Sequence, residues 1–447
     1  MKEIYFKDIK KEKAPNIDNL ISEIIDKRKN KKRNSENAII ILTYKSNNEL
    51  LEFIKTLEKQ NYRDFDLIII YGPKDKTINS INAFNFVNIV RKEDIGCAGG
   101  FYLGEKYAYK EGYKRIIHIE CDVRFVNKTT LKTIIESCKS KSIVMPSVFT
   151  LDFSIKGRGM HQATCFDSSL INYAGFTFLP LYFGAEDGEY EDRLKKYGKL
   201  IQIKDYVLHP TKSPILVSIY KDYYFLRNDL IRECKNGDYK RFTLYISSQI
   251  WVSFLLFLLN KQKFYSRTRA FLDFFKLKLG KIDEISIDQQ EKLIDKIEIK
   301  NFKKKIDVYI LKKNHNQMNI KIFNKFEKRK TKEYYIPISI GGLGSFKKLL
   351  ISLINYFLHS FSIFNKNVMT NNINYFDYCW YLLLSKKIYL YENSTVYSKT
   401  IKMKDRIVSF LTYLFTPFAL FIGSLLALYC FLFIYPEIKE IDGYGIE

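Results

Sequence analysis

Four short apolar runs near the start of this 447-residue chain constrain its fold more than any other feature of the sequence. They lie at 37–44, 66–71, 86–90 and 115–119. Each has the length of a strand and is mostly apolar, as expected of strands buried on both faces of a parallel sheet. Helical spacing follows the first run, and a further helix is predicted over 100–112. The order strand, helix, strand, strand, helix, strand predicts an α/β domain with a mostly parallel sheet.

Between the third and fourth runs lies a glycine-rich stretch, GCAGGFYLG at 96–104. It starts the predicted helix, where free backbone N–H groups and the helix dipole favour a phosphate. Gly99 and Gly100 are therefore candidates for contact with a phosphate-bearing donor. The stretch matches neither the dinucleotide-binding glycine pattern nor a P-loop. A tight structural turn explains the same glycines equally well.

Two carboxylates separated by one residue, Glu120 and Asp122, follow the fourth run. Ligands of open α/β sheets bind at the carboxyl ends of the strands, and there both carboxylates can face a divalent cation or a ribose. A bound cation would neutralise a leaving diphosphate as a Lewis acid. Thr43 and Tyr44 close the first run, where they are candidates for contact with a nucleotide base. The alternative for the acidic pair is a solvated turn.

A second acidic cluster, Glu186, Asp187 and Glu189, follows an aromatic, proline-bearing run at 179–183. Neighbouring acids raise the pKa of a carboxyl group, which suits a general base for a hydroxyl nucleophile. Acidic residues are also favoured at a helix N-terminus, and both interpretations can hold together. His209 ends a later apolar run, where it can complete a metal site, although a lone histidine is usually structural.

The chain carries a formal net charge of +24, with basic clusters at 27–33 and 300–332. Such clusters attract phosphate-bearing partners: nucleic acid, anionic lipid or acidic polymer. Because no nucleic-acid-binding motif accompanies them, lipid headgroups are favoured and no nucleic acid is expected. A solvated basic surface is the alternative. The seven cysteines are scattered without a C-x-x-C pair, which favours a reducing compartment over disulfides or structural zinc.

The segment 407–436 carries no charge and is long enough to cross a bilayer, which takes about twenty apolar residues. Pro417 is expected to kink it or to divide a surface-lying part from a spanning part. Basic residues precede it and acidic residues follow it, so the positive-inside rule predicts that residues 1–406 are cytoplasmic. A buried core helix is the alternative. Two lesser apolar stretches, 242–260 and 349–365, are predicted as helices packed on the protein or lying in the membrane interface.

These patterns divide the chain into five predicted regions. They are a charged helical N-terminal segment at 1–36, an α/β domain at 37–230, a helical region at 231–300, a basic region with strands and an interfacial helix at 301–405, and a membrane-spanning or membrane-anchoring segment at 406–436. The α/β domain is predicted to include later strands at 142–145 and 201–208.

Five motifs in this order resemble the family 2 glycosyltransferases with a GT-A fold, most closely the bacterial galactofuranosyltransferase and rhamnosyltransferase branch. The motifs are GCAGGF and Gly104 within 96–104, ECDV at 120–123, LPL and EDGEY within 179–190 followed by Arg193, His209, and YYFLRN at 223–228. The resemblance covers roughly residues 37–280, so the α/β domain would be catalytic. The chain departs from the family pattern in the Glu-Cys-Asp sequence, in Ala185 where a tryptophan is usual, and at 71–73, which lacks the usual acidic or Asn residue.

The resemblance implies how the donor is held. Asp122 and His209 would hold Mg²⁺ or Mn²⁺ against the donor diphosphate, and Glu120 would face the ribose or the metal. The donor would be a UDP- or dTDP-linked sugar of galactofuranose or rhamnose type.

The resemblance also implies how the sugar is transferred. Asp187 would deprotonate the acceptor hydroxyl for an in-line attack that inverts the anomeric carbon. Glu186 and Glu189 would position or tune that base. The acceptor would be a lipid-linked or cell-surface polysaccharide, and the catalytic part would lie at the cytoplasmic face of a bacterial inner membrane.

Two hypotheses from other classes remain open. A non-catalytic glycan- or nucleotide-binding membrane scaffold would bind the donor without turnover, so a donor-hydrolysis assay separates it from an enzyme. A nucleic-acid-binding protein would use the basic stretches, and deleting 300–332 would then abolish salt-sensitive RNA or DNA binding.

Overall fold

The computed structural model describes most of the first 282 residues and parts of the remainder. The described residues are 4–5, 15–43, 47–73, 75–77, 84–149, 155–157, 160–210, 216–282, 295–297, 308–312, 332–336, 364, 367–371, 375–392 and 395–439. Tyr44, the predicted contact of a nucleotide base, lies outside them, as does almost all of the predicted interfacial helix at 349–365.

The first half of the chain alternates strands with short helices. Its strands are β1 (Ile4–Tyr5), β2 (Ile21–Asp26), β3 (Asn37–Leu42), β4 (Asp66–Tyr71), β5 (Phe86–Arg91), β6 (Arg115–Glu120), β7 (Arg124–Phe125), β8 (Ser142–Phe149), β9 (Ile155–Gly157), β10 (Gln162–Asp167) and β11 (Lys199–Leu208). Its helices are α1 (Asn47–Glu58), α2 (Gly96–Lys110), α3 (Thr130–Ser137), α4 (Ile171–Ala174) and α5 (Glu186–Tyr197), with 3₁₀ turns at Ile17–Asn19, Lys29–Lys31, Ser168–Leu170 and Leu179–Leu181.

Four parallel strands form the centre of a large sheet. The strand order is β2-β5-β4-β3-β6-β10-β8-β11-β7, and β9 pairs with β8. Strands β5, β4, β3 and β6 run parallel, β2 and β10 lie antiparallel on either side of them, and β11 runs parallel to β8. The predicted α/β class with a mostly parallel sheet is confirmed.

The continuous apolar runs form the central strands because both faces of the sheet are covered. In β3, Ala38 and Ile40 enter the core on one face, while Ile39 and Ile41 enter the core on the other. All four side chains are fully buried. Helix α2 covers the first face, and α1 and α3 cover the second. Because β3 and β6 are parallel neighbours, their carboxyl ends meet at one edge of the sheet.

A helical region and a second, smaller sheet follow. The helices are α6 (Ile219–Lys235), α7 (Tyr239–Leu259), α8 (Lys261–Phe275), α9 (Tyr375–Leu384), α10 (Met403–Leu414), α11 (Thr416–Tyr429) and α12 (Tyr435–Ile438), with a π-helical stretch at Cys430–Ile434. The strands are β12 (Lys278–Leu279), β13 (Asp295–Ile297), β14 (Val308–Lys312), β15 (Lys332–Ile336), β16 (Asn367–Asn371), β17 (Lys387–Glu392) and β18 (Thr395–Thr400). Strand β12 pairs with β1, and the other six form a sheet in the order β13-β18-β17-β16-β14-β15.

Two long apolar helical segments pack against each other. Helix α7 and the segment Thr416–Ile438 are each long and apolar enough to cross a membrane, with mean hydropathies of 1.8 and 2.3. They run antiparallel, since the ring of Phe254 stacks on Phe415 at 4.0 Å and Ser247 lies against Gly423. A β-carbon at position 423 would lie 2.0 Å from the Ser247 hydroxyl, so glycine allows this close approach.

Two predictions about these regions are wrong. The described part of segment 1–36 is not an α-helical segment, because the isoleucine-rich residues 21–26 add β2 to the edge of β5, which offers backbone hydrogen bonds. The described part of 231–300 is not entirely helical either, because residues 295–297 pair with β18 as a strand.

Within 406–436, Pro417 lies in the first turn of α11 and follows a break after α10. A proline is tolerated in a first turn but not in a helix interior, so the segment is divided there.

Candidate active site

The predicted acidic pair and the distant histidine meet at the carboxyl end of β6. Glu120 is the last residue of that strand, and the chain then turns into β7. Strand β7 pairs antiparallel with the end of β11, with Arg124 opposite Leu208. This pairing brings His209 to the carboxylates: its Nε2 lies 2.8 Å from Glu120 Oε2 and 3.3 Å from Asp122 Oδ1.

These three side chains form a charged cluster. Burial lowers the pKa of His209, but hydrogen bonds with Asp122 and Glu120 outweigh burial and raise that pKa to about 9. Burial alone would raise the pKa of Glu120, yet the hydrogen bond and the charge of His209 hold it at about 2. Gln162 adds a hydrogen bond of 3.1 Å from its Nε2 to Glu120 Oε2. The cluster is therefore a partly buried ion pair with a second carboxylate beside it.

This cluster suits a divalent cation. One ligand atom from each of Glu120, Asp122 and His209 can be chosen so that all three lie within 4.8 Å of one another. Carboxylate oxygens are the ligands that Mg²⁺ and Mn²⁺ prefer, and imidazole tolerates several divalent metals. A cation could take the place of the His209 proton as the positive partner of the two carboxylates. The predicted Mg²⁺ or Mn²⁺ position thus has a fitting set of donors.

The glycines at the start of α2 are explained first by packing. Gly100 faces β3, since a β-carbon there would lie 2.3 Å from a leucine methyl group of that strand. Gly96 has a φ of +73°, and a β-carbon there would lie 2.1 Å from the carbonyl oxygen of Tyr182. The same carbonyl accepts a hydrogen bond of 3.1 Å from the N–H of Ala98, so part of the helix N-terminus is already paired. Contact of the donor with Gly99 and Gly100 stays a prediction.

Thr43 lies at the same sheet edge as the charged cluster. It follows β3 directly, and the preceding Leu42 is paired with Glu120 of β6. Its N–H donates to the Ile70 carbonyl at 3.0 Å. Its hydroxyl is buried and has no hydrogen-bond partner among the described residues. A buried hydroxyl in that state costs free energy, so it is available to a ligand.

The second acidic cluster reaches this edge through a tightly turned loop. Three of the four residues at 182–185 have a positive φ, a conformation that is costly for non-glycine residues and is concentrated at functional sites. Asn228 of α6 holds the loop, because its side-chain amide donates to three carbonyls between Leu181 and Gly184 at 2.8 to 2.9 Å. The loop thereby delivers Glu186, the first residue of α5, to the protein interior.

Glu186 is a buried carboxyl group that is only 4% exposed. Burial and the charge of Asp187 raise its pKa to about 8. Its Oε1 lies 3.8 Å from His161 Nδ1, and the thiol of Cys97 donates a hydrogen bond to its carboxylate. Asp187 is partly exposed, and its Oδ1 accepts a hydrogen bond of 2.7 Å from the N–H of Gly188. The paired acids therefore present one carboxyl group inwards and one towards the solvent.

Glu189, by contrast, anchors α5. Its buried carboxylate pairs with Arg193 Nε at 2.9 Å and with Lys235 Nζ at 2.8 Å. Arg193 also donates to the carbonyls of Ala174 and Phe176. Burial raises the pKa of Glu189, but the charges of Arg193 and Lys235 lower it overall. Any support that Glu189 gives to a base in the first turn of α5 therefore acts through the position of the helix.

Sequence reasoning missed two residues that lie between the acidic clusters, His161 and Cys97. His161 immediately precedes β10, and its carbonyl accepts a hydrogen bond of 2.9 Å from Glu120 N–H. Its ring stacks on Phe101 at 3.7 Å and is buried, which lowers its pKa to about 3 and keeps the imidazole neutral. Alternation of polar and apolar residues at 162–165 was the available signal for this strand.

Comparisons with known proteins find similarity at the level of structure. No protein-family model and no curated protein matches the sequence. A mannosyltransferase from Pyrobaculum calidifontis, solved with GDP-Man and Mn²⁺, has 10% identity and a TM-score of 0.36 over 46% of this chain and 64% of that one. TarS from S. aureus has 16% identity and a TM-score of 0.33 over 45% of this chain and 40% of that one. The chain thus spans less than two thirds of the length of both proteins.

Proposed function

We propose that this chain is a glycosyltransferase of the GT-A type, which moves a sugar from a nucleoside-diphosphate donor to a hydroxyl group of an acceptor. The observation that carries this proposal is the juxtaposition of two unlike acidic groups at one sheet edge. Glu120 and Asp122, together with His209, form a charged set of ligands. Glu186, beside Asp187, has a pKa of about 8, and a thiol and an imidazole lie between the two groups.

The residues of the two groups divide the reaction between them. Asp122 and His209 would hold a Mg²⁺ or Mn²⁺ ion that neutralises the charge of the leaving diphosphate. Glu120 fixes the donor at the end of β6, through the ion or the ribose. Asp187 accepts the proton of the acceptor hydroxyl, and direct attack of that hydroxyl inverts the anomeric carbon. Glu186 sets the pH range of this step, because its charge raises the basicity of its neighbour.

The finer assignment of substrates rests on the motifs. A UDP- or dTDP-linked donor with a sugar of galactofuranose or rhamnose type is supported by five ordered motifs of that glycosyltransferase branch. A lipid-linked or cell-surface polysaccharide acceptor is supported by the basic stretches 27–33 and 300–332, which attract anionic pyrophosphate. A thermal-shift panel of nucleotide sugars with Mn²⁺ tests the donor, since a bound ligand stabilises the fold by mass action. A larger shift with GDP-linked sugars would contradict this assignment.

The base assignment is tested with Asp187→Asn. Donor turnover with Mn²⁺ is expected to fall at least about 10²-fold, the usual contribution of a general base, while nucleotide binding by calorimetry changes little. Asp192→Asn is the matched control, because Asp192 lies on the same helix but pairs with Arg232 at 2.7 Å. Unchanged turnover in Asp187→Asn would remove Asp187 from the mechanism.

A non-catalytic binding scaffold is the second candidate, favoured by Ala185 at the position where the family usually has tryptophan. A scaffold binds the donor in the presence of Mn²⁺ without releasing nucleoside diphosphate. Release by the wild-type protein well above the rate of Asp187→Asn would exclude a scaffold. Equal, background-level release by both proteins would support it.

Association with the cytoplasmic face of a bacterial inner membrane is supported by an exposed apolar surface. This apolar face consists of side chains on α10, α11 and the π-helical stretch that are each more than half exposed: Ile407, Phe410, Leu414, Phe418, Phe421, Leu425, Leu432 and Phe433. Contiguous apolar patches of this extent are rare on soluble monomers and are typical of membrane or protein contacts. The flanking Lys402, Lys404 and Lys439 suit an anionic lipid surface.

The surroundings of α7 favour helices lying along the membrane surface rather than crossing it. The side of α7 that faces α8 is polar, since Arg267 Nε donates to Ser253 Oγ at 3.2 Å and Arg267 Nη1 pairs with Asp222 at 3.0 Å. If α7 and α11 crossed a bilayer together, this ion pair would lie at the depth of the hydrocarbon, at a cost of several kcal/mol. If the helices instead lie along the membrane surface, only the apolar face enters one leaflet.

Vesicle binding tests this arrangement. The double variant Phe418→Ser/Phe421→Ser is expected to lose cosedimentation with vesicles containing anionic phospholipid, whereas wild-type protein cosediments. The matched control is Tyr173→Ser/Tyr197→Ser, an exposed aromatic pair in the α/β half of the chain. Alkaline carbonate should release wild-type protein from membranes, and retention after that treatment would favour a crossing helix instead.

A further inference from the structure

Four side chains with metal-binding atoms converge between the two acidic groups: Cys97, Glu120, His161 and Glu186. Ligand atoms of the first three lie within 4.8 Å of one another. His161 Nδ1 lies 4.0 Å from Cys97 Sγ and 3.8 Å from Glu186 Oε1. Sulfur and nitrogen ligands of a tetrahedral zinc ion lie roughly 3.5 Å apart, given the usual bond lengths. The two distances from His161 therefore exceed those around a zinc ion by only about half an ångström.

One carboxylate oxygen of Glu186 is not satisfied by the protein around it. Glu186 is 4% exposed, and its Oε2 is buried with no hydrogen-bond partner among the described residues. Its other oxygen faces the imidazole of His161, so the carboxyl group is aimed into the cluster. A buried polar atom without a partner costs free energy. A cation bound within the group would supply the missing partner.

The cysteine of this group lies nearer the solvent than the other cysteines of the chain. Cys97 is partly exposed, whereas the other six cysteines of the chain are buried. It lies in the first turn of α2, at the edge of the sheet where ligands of this fold class enter. A neutral imidazole carries a lone pair on one ring nitrogen, and Nδ1 of His161 lies 4.0 Å from the sulfur of Cys97. An incoming ion thus meets a sulfur, a nitrogen and carboxylate oxygens together.

We propose that Cys97, His161, Glu186 and Glu120 form a second cation position that takes Zn²⁺. Sulfur and nitrogen donors select a softer ion than the set of Glu120, Asp122 and His209, where oxygen donors suit Mg²⁺ or Mn²⁺. Zinc binding releases the thiol proton and, at neutral pH, the proton of Glu186 to the solvent, because coordinating thiols and carboxyl groups are deprotonated. Glu120 belongs to both sets and is the ligand that links them.

Occupation of this second position inhibits sugar transfer. Zn²⁺ withdraws Glu186 from the acid pair and draws Glu120 away from the donor cation. This consequence rests on the proposed function, whereas zinc binding itself does not. The two are therefore measured separately, binding by spectroscopy and inhibition by turnover.

Cobalt spectroscopy of the full-length, metal-free protein tests the binding. One equivalent of Co²⁺ is expected to produce a thiolate-to-cobalt charge-transfer absorption that Zn²⁺ removes and Mg²⁺ does not. Cys97→Ser should abolish the absorption and weaken zinc binding at least ~100-fold, the upper end of the cost of losing even an outer-shell partner. Cys234→Ala, a buried cysteine of α6, is the matched control and should retain it. Asp122→Asn should also retain it, because Asp122 belongs only to the first set.

Several results would overturn the proposal: no charge-transfer absorption in the wild-type protein, its persistence in Cys97→Ser, or its loss in Asp122→Asn. A measurement on the unmodified chain guards against misfolded variants. Zn²⁺, but not Mg²⁺, should slow alkylation of Cys97 by N-ethylmaleimide, read out by mass spectrometry, and equal rates would also contradict the proposal. If zinc protects Cys97 but no donor turnover exists to inhibit, the proposed function fails while the cation position stands.

Discussion

Two glutamates at one edge of the large sheet, Glu120 and Glu186, are driven towards opposite charge states. The same buried residue, His161, contacts both. Its carbonyl accepts a hydrogen bond from the backbone N–H of Glu120, and its imidazole faces the carboxyl group of Glu186. Burial favours the neutral form of both. His209 overrides burial at Glu120 and lowers its pKa to about 2, whereas Asp187 adds its negative charge to burial at Glu186 and raises that pKa to about 8.

The difference shows that neighbouring charges, rather than the extent of burial, decide whether each carboxyl group is ionised at neutral pH. Glu120 stays an anion at every working pH, which suits a fixed ligand for a cation or a ribose. Glu186 changes its charge near neutrality, which suits a group that tunes or performs proton transfer. A pair of acids whose environments separate their pKa values is the usual basis for dividing two roles at one site.

The largest expected effect comes from neutralising the anionic member. Glu120→Gln should lower Mn²⁺-dependent donor turnover by at least about 10³-fold, since a preorganised charge at the reacting group is worth several kcal/mol. Mn²⁺ binding, followed by electron paramagnetic resonance, should weaken in parallel. Glu136→Gln is the control, because Glu136 forms only an exposed contact of 3.8 Å with Lys132. Unchanged Mn²⁺ affinity in Glu120→Gln would show that Glu120 is not a ligand of the cation.

Replacing Glu186, the other member of the comparison, should have a smaller and different effect. Glu186→Gln is expected to reduce turnover by about 10²-fold, in the range of general acid–base effects, with Mn²⁺ affinity unchanged. The wild-type pH–activity profile should show an inflection near pH 8, and this inflection should be missing in Glu186→Gln because an amide does not titrate. An inflection that persists in the variant would assign it to another group.

Much of the cluster of Glu120, Asp122 and His209 could be predicted from the sequence. Continuous apolar runs at 37–44 and 115–119 specify buried parallel strands, and the carboxyl ends of such strands are where ligands bind. Glu120 and Asp122 were therefore expected at the edge where the structure has them. His209 was a candidate for the same site from its position at a strand end and from the family resemblance, but its placement beside them depends on the pairing of β7 with β11 across some eighty residues.

The acidic half was less accessible to sequence reasoning because its geometry is not local. His161 is positioned by β10, an antiparallel strand whose mixed polarity gives a weak pattern, so its contact with Glu186 could not be foreseen. The local pattern also gave a wrong helical prediction for 21–26, which pairs with the edge of β5 as a strand. The packing of Gly100 on β3 could not be foreseen from the glycine pattern, which suggested only a phosphate contact or a tight turn. In each case a partner distant in sequence determined the outcome.

The pH dependence of stability sharpens the comparison further. The pKa of Glu186 is raised, so the stability it contributes is complete below its ordinary value of 4.5 and is lost as the pH rises through about 8. The pKa of Glu120 is lowered, so its contribution is present above 4.5 and is lost only as the pH falls through about 2. Between pH 5 and 8, wild-type protein should therefore lose stability relative to Glu186→Gln. Relative to Glu120→Gln it should stay level up to about pH 6.5 and fall above that, because the raised pKa of His209 depends in part on Glu120. The slope is at most about 1.4 kcal/mol per pH unit.

Denaturant unfolding of the three metal-free proteins at pH 5, 6.5 and 8 measures these differences. Subtracting the unfolding free energy of each variant from that of wild type cancels the titration of groups that do not interact with the substituted residue. A flat difference between wild type and Glu186→Gln would mean that Glu186 is ionised throughout, and a sloping difference for Glu120→Gln between pH 5 and 6.5 would mean that His209 does not hold Glu120 as an anion.

The smallest expected effect comes from the loop that presents Glu186. Asn228→Leu keeps nearly the size of the side chain and adds no charge, but it removes the amide donor that binds three carbonyls between Leu181 and Gly184. The unfolding free energy should fall by about 1–2 kcal/mol, the cost of buried carbonyls left without partners. Turnover should fall several-fold, and the inflection near pH 8 should move to lower pH because a looser loop admits water to Glu186. Asn236→Ala, an exposed asparagine at the end of the same helix, is the control. A loss of stability with an unmoved inflection would show that Asn228 supports the fold without positioning the acid.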